Sequence, residues 1–172
     1  MNIIRNDCEN IMKSIYIETS IISYLALRPS RDLRAAAWQQ ITHQWWSQER
    51  MKYELFTSEL VVEEASSGDP KAANSRLEAL KGIAEIPVDK ETKALAVKLI
   101  NEGGVQAGAE ADALHIALAC VHEMDYLLTW NFRHIDNAEA KPIIRAICFK
   151  SGYTCPEICT PLELFSEDQE DV

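Results

Sequence analysis

Four short segments, far apart in the chain, each set an acid or an amide beside an apolar run. They are Ile15-Tyr16-Ile17-Glu18-Thr19-Ser20, Ser58-Glu59-Leu60-Val61-Val62-Glu63-Glu64, Glu110-Ala111-Asp112-Ala113-Leu114-His115-Ile116-Ala117 and Tyr126-Leu127-Leu128-Thr129-Trp130-Asn131. The first and last read as short buried strands that stop at a polar residue. The middle two read as helices carrying a carboxylate where a core-facing side chain is expected. In an open parallel sheet, strand C-termini and the helix starts beside them converge on one crevice. Carboxylates gathered there repel one another unless a cation neutralises them, so the pattern points to a divalent-metal site.

Each residue also has a plainer reading. Glu18 is placed just beyond its strand, where Thr19 and Ser20 can bond its carboxylate or simply cap the next helix, leaving Glu18 as a loop acid. Glu63 and Glu64 point about 100° apart on a helix. Glu64 follows Leu60 by four residues and Val61 by three, so it lies beside the apolar face, whereas Glu63 shares a face with Glu59 and is expected in solvent. Asp112 stands among apolar neighbours, where a carboxylate must be paired, capping or metal-bound. It is either a ligand or the N-cap of a helix starting at Ala113. His115 is a candidate ligand or a satisfied core histidine, and Glu110 a first-turn acid favoured by the helix dipole. Asn131 can offer an amide oxygen to a cation or serve as a turn residue, and Thr129 can hold a carboxylate through its hydroxyl.

These residues need an alternating scaffold to bring them together. Strands are expected at 14–18, 55–57, 83–88 and 126–129, with an edge strand at 156–160. Helices are expected at 20–27, 32–48, 58–65, 71–80, 90–101, 109–122 and 141–150, several announced by a capping Ser or Asp or closed by Gly. Strands alternating with helices predict an α/β fold with a mainly parallel sheet.

At 172 residues, 47% hydrophobic and 26% charged, the chain suits one domain with a substantial core. A net charge of −10 argues against polyanion binding through the whole surface, though not against a nucleic acid held locally. Residues 1–12 read as a disordered extension without a secretory leader's apolar stretch, and 166–172 as an acidic tail. A cytoplasmic location is the default, with no membrane span expected. The five cysteines are irregularly spaced; Cys155 and Cys159, with Pro156 between them, do not make a zinc knuckle without a second pair nearby, so reduced structural thiols are expected. No Gly-rich loop follows a strand, no second histidine completes a zinc-protease helix, and no Gly-x-Ser-x-Gly elbow is present.

With these four segments in this order, the chain resembles the PIN-domain ribonucleases, in particular the VapC-like toxins of prokaryotic type II toxin–antitoxin modules. That family shows Asp-Thr-Ser after strand one, a Glu on the next acidic helix, Asp-Ala-x-x-x-Ala on a later helix, and Thr-x-Asp or Thr-x-Asn after the following strand. The matching residues are Glu18-Thr19-Ser20, Glu64, Asp112-Ala113 with Ala117, and Thr129-x-Asn131. Two positions depart: Glu18 is one methylene longer than the usual Asp, and Asn131 keeps an oxygen but carries no charge. The resemblance implies a three-layer α/β/α domain over 13–165 with about five strands. It further implies a ribonuclease using Mg²⁺ or Mn²⁺ at Glu18, Glu64, Asp112 and Asn131, with Thr19 and Thr129 orienting those ligands. RNA as substrate, a small antitoxin partner and a homodimer are implied too. The competing expectations are a catalytically degenerate PIN-fold module that binds protein or RNA, and a metal-dependent phosphatase on a related sheet.

Overall fold

Lys13–Ile17 form the central strand β1, and Ile15, Tyr16 and Ile17 are wholly buried, as a strand covered on both faces requires. In the computed structural model, residues 12–166 are described. The expected extension and acidic tail lie outside the described residues, apart from Met12 and Ser166. After β1 come α1 (Thr19–Ala26), α2 (Leu33–Gln48), β2 (Tyr53–Ser58), α3 (Glu59–Ser66), α4 (Pro70–Leu80) and β3 (Ala84–Ile86). The chain continues through α5 (Lys90–Asn101), α6 (Glu110–Val121), β4 (Tyr126–Leu128), α7 (Ala140–Lys150) and β5 (Glu157–Cys159).

The local signals act as expected. Asp32, Ser58, Asp69 and Asp89 cap α2, α3, α4 and α5 through their side chains, and Pro70 opens α4 at a position that needs no donor. Gly82, at φ +81°, turns the chain after α4.

All five strands run parallel in the order β3-β2-β1-β4-β5. The chain steps outward from β1 to β2 and β3, then crosses back over β1 to β4 and β5. Right-handed crossovers therefore send α1–α4 to one face and α5–α7 to the other. The helix contacts agree: α1, α2, α3 and α4 pack among themselves, as do α5, α6 and α7. The result is the expected α/β/α sandwich, and the reversal of direction opens a crevice beyond the C-terminal ends of β1 and β4.

The opposite end of the same strand pair is tied by Asp125. Its carboxylate accepts Ser14 N at 2.8 Å, Ser14 Oγ at 3.0 Å and Lys13 Nζ at 2.7 Å, while Asp125 N donates to Ser14 Oγ at 2.9 Å. Partial burial raises the carboxyl, but the bonds from Lys13 and Ser14 outweigh it and leave it below its ordinary 3.8. A depressed carboxylate contributes stability above its unfolded value, lost as pH falls through the folded one. Asp125→Ala is expected to cost about 1–2 kcal/mol at neutral pH, and urea titrations should show the gap from wild type closing below the ordinary carboxylate range. A gap unchanged down to strongly acidic pH would refute the role.

Candidate metal centre

Glu18 follows β1 directly, and its backbone N still bonds Leu128 O at 3.1 Å, extending the β1–β4 ladder by one step. Its side chain is only 5% exposed and turns back to cap α1. Glu18 Oε1 accepts Ser20 N at 3.1 Å, and Oε2 accepts Ser20 Oγ and, at 2.7 Å, Thr129 Oγ1. Glu18 is therefore neither an exposed loop acid nor a bystander to a Thr19 cap; it is itself the N-cap. Ser20 Oγ in turn accepts Trp130 N at 2.8 Å, so both strand ends are stitched through one carboxylate and two hydroxyls.

Glu64 lies on the last turn of α3, half-buried, while Glu63 is exposed, as the helical register predicts. Glu64 Oε2 accepts Thr19 Oγ1 in a short hydrogen bond and His115 Nε2 at 3.1 Å. Burial raises the Glu64 carboxyl, but the bond and charge of His115 and the Thr19 hydroxyl prevail, leaving it below the usual range.

Asp112 sits in the first turn of α6, which starts at Glu110 with Ala109 as a cap residue lacking a side-chain bond. The alternative of Asp112 as an N-cap does not hold. Glu110 is exposed and accepts Gly108 N at 3.2 Å, a local turn contact away from the acids. Asp112 Oδ1 accepts Asn131 Nδ2 at 2.8 Å. Burial pushes the Asp112 carboxyl up; nearby His134 and His115 oppose this, Glu18 and Glu64 add to it, and the net direction is upward. Asn131 acts through this bond: its own amide oxygen accepts His134 N at 3.1 Å, and its N donates to Thr129 Oγ1 at 2.9 Å. Trp130 anchors the loop by stacking on Trp38 of α2 and donating to Thr42 Oγ1 at 2.8 Å.

One ligand atom each from Glu18, Glu64 and His115 lies within 4.8 Å of the other two. Asp112 is not one of that group; it is linked to Glu18 by hydrogen bonds through Asn131 and Thr129. Among the described residues, Glu64 Oε1 and Asp112 Oδ2 receive no hydrogen bond, so each carboxylate is held by one oxygen and offers the other. Thr129 serves Glu18, whereas Thr19 serves Glu64 on the neighbouring helix.

Behind the acids runs a buried chain that the motifs did not reveal. Tyr16 OH lies 2.8 Å from Ser58 Oγ and 2.8 Å from His115 Nδ1, and Ser58 Oγ accepts Val61 N. Tyr16 OH thus bridges Ser58 Oγ and His115 Nδ1, and on the far side of the ring His115 Nε2–H donates to the Glu64 carboxylate. Burial raises the Tyr16 phenol far above its ordinary value, keeping it a neutral donor. Of its two expected readings, His115 takes that of a satisfied core histidine, with both ring nitrogens bonded, and through Nε2 it also aims Glu64. The available signal was its spacing, three residues after Asp112 on one helix face.

The family model described as PIN domain matches residues 15–141. Among solved structures, the Mycobacterium tuberculosis VapC20 toxin, described as cleaving the sarcin–ricin loop, superposes with a TM-score of 0.51 at 16% identity. That match covers 66% of this chain and 86% of the toxin. The VapBC2 structure from Rickettsia felis, bound to a DNA fragment from its promoter, gives a TM-score of 0.55 at 13% identity, covering 86% of this chain and 98% of that one. At these identities the likeness speaks to the fold. No curated protein matches the chain.

The buried chain makes a specific prediction. Tyr16→Phe leaves Ser58 Oγ and His115 Nδ1 without their shared partner and should cost about 1–3 kcal/mol, read by tryptophan fluorescence in urea. A change within roughly 0.5 kcal/mol, as for an ordinary surface site, would show that the chain does not support the site.

Proposed function

Because the chain belongs to the PIN-domain family, we propose that it is a divalent-metal-dependent endoribonuclease that hydrolyses RNA phosphodiester bonds, of the VapC-like toxin type. The observation that carries this reading is the crevice at the ends of β1 and β4, where Glu18, Glu64 and His115 approach within 4.8 Å and Asp112 is held opposite by Asn131. An oxygen-rich set with unengaged carboxylate atoms suits a hard cation. Glu18, Glu64 and Asp112 would hold Mg²⁺ or Mn²⁺, which when bound supplies a water of lowered pKa and positive charge for the phosphate.

The chain's own groups do the positioning. Thr129 and Ser20 fix Glu18, Thr19 and His115 fix Glu64, and Asn131 fixes Asp112, so the acids need little reorganisation on binding. Arg133, exposed on the loop that follows β4 two residues after Asn131, supplies local positive charge for a phosphate. That answers the −10 net charge: RNA is gripped at the crevice and not by the whole surface. The same charge favours a small antitoxin with a basic segment as the inhibiting partner, as in a VapBC pair, and a homodimer is the assembly this reading carries. No described helix is long and apolar enough to cross a membrane.

One observation favours the second reading, a catalytically degenerate PIN-fold binding module. Glu18 already accepts three donors and Asn131 spends its oxygen on His134. Metal affinity separates the two, since a degenerate site should not take up Mg²⁺ or Mn²⁺ at millimolar concentration.

The activity test is Asp112→Asn. The amide keeps an oxygen for Asn131 Nδ2 and nearly the same shape but loses one anionic ligand. It should abolish Mn²⁺-dependent cleavage of RNA while the metal-free thermal midpoint stays level or rises, because a like charge beside Glu18 and Glu64 is gone. Full activity in the variant, with an EDTA control showing metal dependence, would remove Asp112 from the site. Absence of cleavage in both proteins, with no metal uptake by wild type, would favour the binding module.

A further inference from the structure

Cys120 on α6, Cys148 on α7 and Cys155 between α7 and β5 meet in the layer formed by α5–α7. Their three sulfurs lie within 4.8 Å of one another, with Cys120 and Cys148 at 3.3 Å. Cys120 and Cys148 are fully buried, and Cys155 is partly exposed. A cavity of about 310 Å³ reaches the cluster, lined by Cys120, Cys155, Tyr153, Glu123 and Asp125 among others. Cys159 on β5 does not belong to the group, so the sequence spacing of Cys155 and Cys159 points away from the actual neighbours.

We propose that Cys120, Cys148 and Cys155 form a three-thiolate site for a thiophilic closed-shell cation, Zn²⁺ or Cu⁺, separate from the acidic crevice. A tetrahedral ion with metal–sulfur bonds of ~2.3 Å holds its sulfurs roughly 3.8 Å apart. The Cys120–Cys148 distance of 3.3 Å and the 4.8 Å upper limit on the other two pairs are compatible with that figure, so small side-chain rotations suffice. The cavity leaves one side open, which gives Zn²⁺ room for a water as fourth ligand, while Cu⁺ is satisfied by three sulfurs. Soft sulfur donors here and hard oxygen donors at Glu18, Glu64 and Asp112 select different ions, so one chain can sort two metals. Binding displaces the thiol protons into solvent and leaves three thiolates on the ion, with no change of oxidation state. A Cys120–Cys148 disulfide is the rival, but it would leave Cys155 as an unexplained third sulfur and requires an oxidant.

The inference does not depend on the ribonuclease reading. The test is titration of the reduced full-length chain with Co²⁺, which gives a thiolate-to-cobalt charge-transfer band only on sulfur ligands. The band should saturate at one ion per chain, disappear on adding Zn²⁺, persist in Cys8→Ser, Cys159→Ser and Glu64→Gln, and be lost in Cys148→Ser. An anaerobic arm with Cu⁺ and a chromophoric chelator decides which ion is preferred; tighter retention of either supports the site. A readout that needs no variant is alkylation of Cys155 in wild type, which should slow roughly tenfold or more with the ion bound. No band and no protection, a band unchanged in a folded Cys148→Ser, or a Cys120–Cys148 disulfide in a chain that takes up no metal when reduced would overturn it.

Discussion

Like charges held at one edge of a sheet are the constraint around which the candidate site is built. Two unit charges on carboxylate oxygens 4.8 Å apart or less repel by about 3.5 kcal/mol or more at an effective dielectric of ~20. Hydrogen bonds to a charged acceptor contribute about 1.5–3 kcal/mol each. Glu18 accepts three and Glu64 two, so the donors outweigh the repulsion between those two acids. Asp112 differs: a single amide holds it, and its carboxyl is the one pushed upward. A cation would add most at this third acid, whose charge the protein leaves least compensated.

The donors come from separate elements, and the fold makes that possible. Ser20 and Thr19 start α1, Thr129 and Asn131 follow β4, and His115 faces in from α6. They meet because the chain reverses its direction across the sheet at β1, leaving the ends of β1 and β4 uncovered by a crossover. Asp125 fixes the other end of the same strand pair, so the register Ile17↔Leu128 is held from both sides. A slip of one residue would turn Thr129 away from Glu18 and break the shared carboxylate.

Much of this was legible because it is local or periodic. The strands announce themselves by short β-branched and aromatic runs, the helices by their caps, and the inward choice of Glu64 over Glu63 follows from helical angle alone. Boundaries moved only by a residue or two at each end; in short strands that is a large share, so β3 is three residues where six were expected, because only 84–86 find partners on β2, and β2 is six where three were expected. What stayed hidden depends on contacts between distant segments. Nothing near Tyr16 or Ser58 signals that their hydroxyls converge on His115, since an aromatic in a buried strand and a serine before a helix are each explained without the other. The bond from Thr19 to Glu64 in place of Glu18, and the meeting of Cys155 with Cys120 and not Cys159, likewise exist only once the layers are assembled.

Helix α6 links these features. Its first turn carries Asp112, its middle presents His115 to Glu64 and Tyr16, and its end brings Cys120 to the sulfur cluster. From Asp112 to Cys120 is eight residues, roughly 12 Å along the helix axis, far enough that the two clusters share no ligand. The helix packs most extensively on α5, and its residues from Ile116 to Cys120 are fully buried, so it is fixed by core packing before any polar contact is counted. A rigid, apolar helix is a suitable carrier for both clusters: packing sets its position, and the few polar groups at its two ends need only be aimed.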